Sequence, residues 1–320
     1  MRTRVDGLLI VDKPEGISSF GVVKEIKDRF GLKKVGHIGT LDPFATGVLP
    51  IVINEGTKLA PFLMEEPKEY EAILKLGEET TTDDLTGEVI RRNPWESINL
   101  KSIPSVFQHF LGKIKQTPPM FSAIKFKGKP LYRLARKGME VEREERMVEI
   151  FNLQVQEIAL PLVRFHVSCS KGTYIRTLAK DIGKKIGCGA HLVFLRRTRS
   201  GTFTLEQAIS WEELKKVNQI EELRPRLISP KEALPALPEV VVEEKIARKV
   251  RFGQEVTLFD LPDQVLPFLQ EGRWFKISSP GAGLVAILRS EKRGKRMDGK
   301  DPKAFIFRPL RIFHFEEKYA

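Results

Sequence analysis

The sequence predicts an α/β chain in which helices flank a mixed sheet, with a small β-rich domain behind it. Three observations carry that expectation. Ahead of Arg224, strand-like apolar runs and segments of helical period are interleaved irregularly. From Arg224 to Pro238 the chain is broken by Pro225, Pro230, Pro235 and Pro238, the mark of a connection between domains. Beyond the break only short β-type runs separated by turn residues remain.

Element by element, Leu8 to Val11 is a short apolar run ended by Asp12-Lys13-Pro14-Glu15-Gly16, a strand closed by a proline-glycine turn. A helix follows, because Ser18 or Ser19 can cap it, Phe20, Val23, Ile26 and Phe30 recur at helical spacing, and Gly31 stops it. Val48 to Ile53 reads as a buried strand, and Tyr70 to Leu76 as a strand ending at Gly77. Leu162 to Ser170 alternates, with Val163, Phe165, Val167 and Cys169 on one face, and Thr173 to Ile186 reads as a helix. After the proline-rich break, Val240 to Val242, Gln254 to Leu258, Leu284 to Leu288 and Phe305 to Phe307 fit a small β-rich domain or barrel of about eighty residues.

Charge narrows the partner. Lys and Arg total 54 against 42 acids, a net charge of +12 and a pI near 9.6, which favours a polyanion over an acidic small molecule. Nucleic acid leads and an anionic membrane trails. No apolar run approaches the ~20 residues needed to span a bilayer and no signal-peptide core opens the chain, so a cytoplasmic protein is expected. Cys169 and Cys188 are the only cysteines, in no Cys/His cluster, and the five histidines form no His-x-x-x-His pair; neither a metal site nor a disulfide framework is expected.

Within this frame the octapeptide Gly36-His37-Ile38-Gly39-Thr40-Leu41-Asp42-Pro43 places one carboxylate in a glycine-rich, proline-locked loop beside a histidine, as a nucleophile is presented. Locally the same Asp42-Pro43 also fits a helix N-cap with proline at the first helical position. Arg176 falls in the first turn of the 173–186 helix, where a cation is disfavoured by a few tenths of a kcal/mol unless an anion compensates it. Asp42 is a candidate for that anion. Tyr174, by default a core aromatic, is expected in the same turn; Tyr70 shares a strand face with Ala72, Leu74 and Leu76; His37 suits either a stacked base or a loop hydrogen bond. Lys113 to Lys137 carries eight basic residues and no acidic one, with Phe121, Phe126 and Tyr132 interleaved: a cationic loop with stacking groups, or a solvated surface helix over Leu131 to Arg136. Lys292-Arg293-Gly294-Lys295-Arg296 is a second basic cluster, and Thr80-Thr81-Thr82-Asp83-Asp84 reads as a capped turn.

Taken in order, these segments closely resemble the bacterial TruB family of tRNA pseudouridine-55 synthases. The resemblance runs through Leu9-Ile10-Val11-Asp12-Lys13-Pro14 with Gly16 and Ser18-Ser19, then the octapeptide with Ala45-Thr46-Gly47-Val48-Leu49-Pro50. It continues through Lys68-Glu69-Tyr70, Pro118-Pro119-Met120-Phe121-Ser122-Ala123, the segment from Ser168 to Thr177, and Gly189-Ala190-His191-Leu192 with Leu195-Arg196-Arg197. Around Arg251-Phe252-Gly253-Gln254-Glu255-Val256 the last part is similar to a PUA RNA-binding domain, on a less specific motif.

The resemblance implies a pseudouridine-synthase fold with a mixed, largely antiparallel sheet. It divides the chain into a catalytic domain over 1–228, with an RNA-clasping insertion at about 113–146, a linker over 229–239 and a PUA-like domain over 240–320. It implies isomerisation of uridine-55 in the tRNA T arm, by a monomer needing no cofactor and binding neither DNA nor membrane. Asp42 would be the essential aspartate and Arg176 its partner. Tyr70 would stack on the flipped uracil, Tyr174 lie against it, His37 fill the space it leaves, Leu195 line its pocket, and Lys13 with Pro14 support the floor. Phe121 stands where the family commonly has tyrosine. Two other classes remain open at this stage: an RNA-binding or RNA-folding protein without catalysis, and a nucleoside hydrolase, which would release free uracil.

Overall fold

The structure is a computed structural model and describes residues 5–262, 265, 270–281, 283–292 and 305–314. Residues 293–296 of the second basic cluster lie outside the described residues.

The first strand, β1 (Gly7–Lys13), is longer than the apolar run at its centre because Asp12 and Lys13 continue its pairing with a later strand. Helix α1 (Ser19–Phe30) follows: the Ser18 hydroxyl accepts from the Gly21 N–H, and Gly31 ends the helix at φ 60°. Val22, Val23, Ile26 and Phe30 are buried, each contributing about 1.5–3 kcal/mol when fully removed from water. Next come β2 (Val35–His37), β3 (Thr46–Ile53), β4 (Lys68–Leu76), β5 (Gly112–Gln116), the long β6 (Arg146–Ala159) and β7 (Leu162–Cys169). Helix α2 (Ile175–Ile186), β8 (Ala190–Ser200) and the short β9 (Ile209–Ser210) complete this part.

The expected mixed sheet is present, with ten strands in all, and runs β9-β1-β3-β8-β4-β7-β6-β5, with β2 on the flank of β3 and a two-residue strand, Phe203–Thr204, on the flank of β8. Pairing is antiparallel except where β1 meets β9 and where β3 meets β8. The alternation read from β7 holds, since Val163, Phe165, Val167 and Cys169 are all buried. One boundary differs. Helix α2 begins at Ile175, and Tyr174 stays extended at φ −97°, ψ 111° because its backbone is engaged by a side chain from β5.

The last part holds a five-stranded sheet in the order β10 (Glu239–Val241), β12 (Trp274–Ser279), β13 (Gly283–Lys292), β14 (Phe305–Ile312) and β11 (Val256–Thr257). Helix α3 (Glu244–Arg251) covers it through Ala247 and Val250. Neither α3 nor β12 stands out by sequence pattern. In α3, only eight residues long, Ile246, Ala247 and Val250 form the apolar face among five charged residues, and β12 keeps Lys276, Ser278 and Ser279 buried among its apolar residues.

The proline-rich stretch is packed. Ile228 exchanges two backbone hydrogen bonds of 2.9 Å with Leu8, and Ala233 and Leu234 are buried between Leu8, Ile10, Val48 and Val52 on one side and Leu284, Ile287 and Phe313 on the other. Lys58 adds a 2.7 Å bond to the Ile312 carbonyl, and Phe62 meets Trp274 edge-on at 5.4 Å.

Candidate active site

Asp42 lies on the loop between β2 and β3, and its backbone is fixed on both sides. Ser19, buried at the start of α1, donates its hydroxyl to the Leu41 carbonyl at 2.9 Å and accepts the Leu41 N–H at 2.8 Å. Beyond Asp42, the Pro43 carbonyl accepts from the Gly16 N–H at 2.8 Å and from Lys13 Nζ at 3.1 Å. Lys13 also donates to the Pro14 and Ile17 carbonyls at 2.7 Å each, so one ammonium ties the end of β1 to the Asp42 loop. Asp42 begins a turn closed by Ala45 N–H to the Asp42 carbonyl, with no helix after it, which removes the N-cap reading.

The Asp42 carboxylate faces Arg176 in a bidentate pair, Nε to Oδ2 at 2.8 Å and Nη2 to Oδ1 at 3.1 Å. The guanidinium also donates to the Thr82 carbonyl at 3.0 Å and the Phe121 carbonyl at 2.9 Å, while a second carboxylate, Asp84, stands 3.6 Å from Nε. Arg176 is thus a cation at a helix N-terminus whose cost is offset by two anions. Burial pushes Asp42 above the usual carboxylate range, Arg176 pulls it back most strongly, and Asp84 adds to the upward push. Because a guanidinium carries its charge at any working pH, the pair holds Asp42 as the acceptor of both bonds.

Asp42 and its loop neighbours Gly39 to Leu41 line a cavity of about 530 Å³ together with Lys68, Tyr70, Arg146, Tyr174, Leu195 and Arg197. A pocket of that size suits a nucleobase with its sugar. Tyr70, on β4, is buried yet lines the cavity, and its hydroxyl is pushed up by burial. Leu195 pairs with Ala72 across the β8–β4 ladder. Arg197, also on β8, is fully buried and holds the loop by donating to Gly39 O at 3.0 Å and Val48 O at 2.7 Å. Gly47 makes this approach possible: its φ is +104° and an added Cβ would lie 2.2 Å from the Arg197 carbonyl oxygen.

The structure therefore brings Asp42, Tyr70, Tyr174, Arg176 and Leu195 together, with Lys13 beneath the loop. His37 is not among the lining residues; it sits on β2 opposite Ile51, its Nδ1 buried without a partner and its basicity lowered by burial and by Arg197. Sequence reading missed Asp84, Gln116, Arg146 and Arg197. Arg197 stands inside a quoted motif, but a strand arginine gives no local sign of burial. Thr80 to Asp84 is the expected capped turn, with Thr82 Oγ1 and the Thr86 N–H on Asp84 Oδ1, and it also presents Asp84 to Arg176. Among the described residues no group of three or more His, Cys, Asp or Glu could hold a metal, and no helix is long and apolar enough to cross a membrane.

The basic segment combines both sequence readings. It contains a small hairpin, Lys125–Phe126 with Lys129–Pro130, and a short helix, Leu131–Ala135; Lys125, Lys127, Lys129, Arg133, Arg136 and Lys137 are exposed, with Lys127 over Phe126 and Arg136 over Tyr132.

Known proteins resemble the chain in sequence and in fold. Residues 27–175 match the model of the TruB family pseudouridylate synthase N-terminal domain, and residues 176–234 that of the tRNA pseudouridylate synthase B C-terminal domain. The chain is 50% identical over 249 residues to the tRNA pseudouridine synthase B of Geobacter sulfurreducens, covering 78% of this chain and 82% of that one. With the Syntrophus aciditrophicus protein of the same name it is 42% identical over 311 residues, 97% of this chain and 99% of the relative. Among solved structures, a crystal structure of a Cbf5-Nop10-Gar1 complex superposes at a TM-score of 0.71 with 28% identity, over 96% of this chain and 85% of the other.

Proposed function

The chain belongs to the TruB family of pseudouridylate synthases, and on that premise we propose that it isomerises uridine-55 in the T arm of tRNA to pseudouridine, with Asp42 as the acting carboxylate. The observation that carries the reading is the bidentate Arg176–Asp42 pair opening onto a cavity shared with Tyr70, Tyr174 and Leu195.

In the reaction the bond from ribose C1′ to uracil N1 breaks, the base turns, C1′ joins C5, the C5 proton leaves and N1 ends protonated, so mass is unchanged. A carboxylate oxygen adds to C1′ or to C6 of the ring, and a base takes the C5 proton. Asp42, fixed by Ser19 and Lys13 below and Arg176 beside, supplies the carboxylate without needing to reorganise. Tyr70 stacks on the uracil, Tyr174 lies at its edge as proton acceptor, and the apolar wall at Leu195 excludes the water that would capture the sugar. Reaching a stacked base requires flipping it out, a cost of a few kcal/mol repaid by stacking and phosphate contacts. His37 fills the vacated space, and the exposed lysines and arginines of 113–146 clasp the RNA backbone.

We assign the chemistry to residues 1–228, the connection to 229–239, and further RNA contact to a PUA-like domain at 240–320, in a monomeric cytoplasmic enzyme. The test is pseudouridine mapping in an unmodified tRNA transcript. The native chain is expected to modify position 55 alone, and Asp42→Asn is expected to bind the transcript without product. Turnover surviving in Asp42→Asn overturns the reading, and free uracil as product would reassign the chain to hydrolysis.

A further inference from the structure

The segment 117–145 leaves and re-enters the sheet through a single cross-strand pair, Gln116 on β5 opposite Arg146 on β6. Both members hold Tyr174. The Gln116 side chain is 1% exposed, and its amide reads the Tyr174 backbone in both directions: Nε2 donates to the Tyr174 carbonyl at 3.0 Å and Oε1 accepts the Tyr174 N–H at 2.8 Å. Arg146 lays its guanidinium over the Tyr174 ring at 4.8 Å and donates to the Gly172 carbonyl. Arg143 ties the same root to the Pro118 carbonyl at 3.1 Å. Tyr174 makes no side-chain cap and sits at non-helical angles; besides the Leu178 N–H that its carbonyl also accepts at 3.0 Å, the Gln116 amide supplies the hydrogen bonds that hold its backbone.

We infer that Gln116, with Arg146, is a positioning device through which the RNA-holding segment sets Tyr174 against the target base. The inference rests on the proposed function. The segment joins the sheet at this closing pair, and the side chains of that pair end on the backbone and ring of a cavity-lining tyrosine. Only an amide satisfies both Tyr174 groups: a carboxylate accepts from the N–H but repels the carbonyl, and a methionine of similar length offers neither bond. A displacement of the ring of about 1 Å is enough to cost roughly a hundredfold in rate.

The experiment uses the full chain and a T-arm RNA, reading RNA affinity and single-turnover rate separately. Gln116→Met is expected to lower the rate about 10- to 100-fold with affinity within twofold. Gln116→Glu carries the test if Gln116→Met does not fold. At neutral pH its carboxylate opposes the Tyr174 carbonyl, and protonation restores the missing donor, so its rate rises as pH falls where that of the native enzyme does not. A native-like rate in Gln116→Met, or a native pH profile in Gln116→Glu, overturns the inference while an inactive Asp42→Asn leaves the proposed function standing. Activity in Asp42→Asn would bring down that function first.

Discussion

Replacing Arg176 by methionine tests the electrostatic core of the site. The substitution removes both bonds to Asp42 and leaves the carboxylates of Asp42 and Asp84 facing one another without their common cation. Taking one partner from a buried pair costs about 3–5 kcal/mol, and the Asp42 side chain, at 30% exposure, places this case near the lower end. Asp42 meets that cost by binding a proton. Each 1.36 kcal/mol raises its pKa by about one unit, so a smaller share of Asp42 is ionised at neutral pH, and with the orienting fork also gone the rate there falls about a hundredfold. The sign in pH follows: the native enzyme already has Asp42 shifted upward by burial, the variant has it higher still, and activity in the variant climbs with pH over a range where the native rate is level. Arg176→Lys keeps the charge but not the fork and loses about 10- to 100-fold. The assay is single-turnover release of tritium from C5-labelled uridine across pH, with thermal unfolding in parallel. A rate within threefold of native in Arg176→Met, or a large loss with an unchanged pH profile, would refute the reasoning.

Lys13, held near 8 by burial, has three carbonyls to satisfy, and its neutral amine has two protons; activity is expected to decline as pH rises through 8, read as kcat under saturating RNA. Stability moves the other way. The folded value lies below the ordinary 10.5, so the penalty on the buried charge is complete below 8 and is relieved between 8 and 10.5, where Lys13→Met should flatten the rise in Tm. Gly47→Ala forces a Cβ against the Arg197 backbone at a positive φ, and a loss of about 3 kcal/mol or more is expected in denaturant unfolding. Lys125, Lys127 and Lys129 changed together to alanine should raise KM, leave kcat at saturation, and reduce the slope of log affinity against log salt by about 2 to 3.

Strands and helices with a clean period were legible: β7 by alternation, α1 by its serine cap and glycine stop, β4 by the face shared by Tyr70, Ala72, Leu74 and Leu76. The last sheet was less so, because β12 buries Lys276, Ser278 and Ser279 among its apolar residues and carries no clear period, while α3, with Ile246, Ala247 and Val250 on one face, is too short to stand out among the strand-like runs around it. At the site, Asp42 announced itself by its glycine-proline loop and Arg176 by being a cation at the wrong end of a helix. Gln116 and Asp84 gave no such sign, since each is an ordinary polar residue whose importance comes from a partner far along the chain, Tyr174 and Arg176 respectively.

That difference has a physical root in the sheet order. Chain-order neighbours β3 and β4 are separated in the sheet by β8, which pairs parallel with β3 at Arg196 and Arg197 and antiparallel with β4 along its length. The insertion of β8 brings Arg197 under the Asp42 loop and Leu195 beside Tyr70's strand, while α2, the element just before it, delivers Arg176 to Asp42. Four segments distant in sequence thus converge because one late strand enters between two early ones. Register governs the outcome: a one-residue slip of β8 would turn Leu195 and Arg197 to the opposite face and take away both the cavity wall and the support of the loop. Gly47, where no Cβ fits, is the point at which that register is enforced.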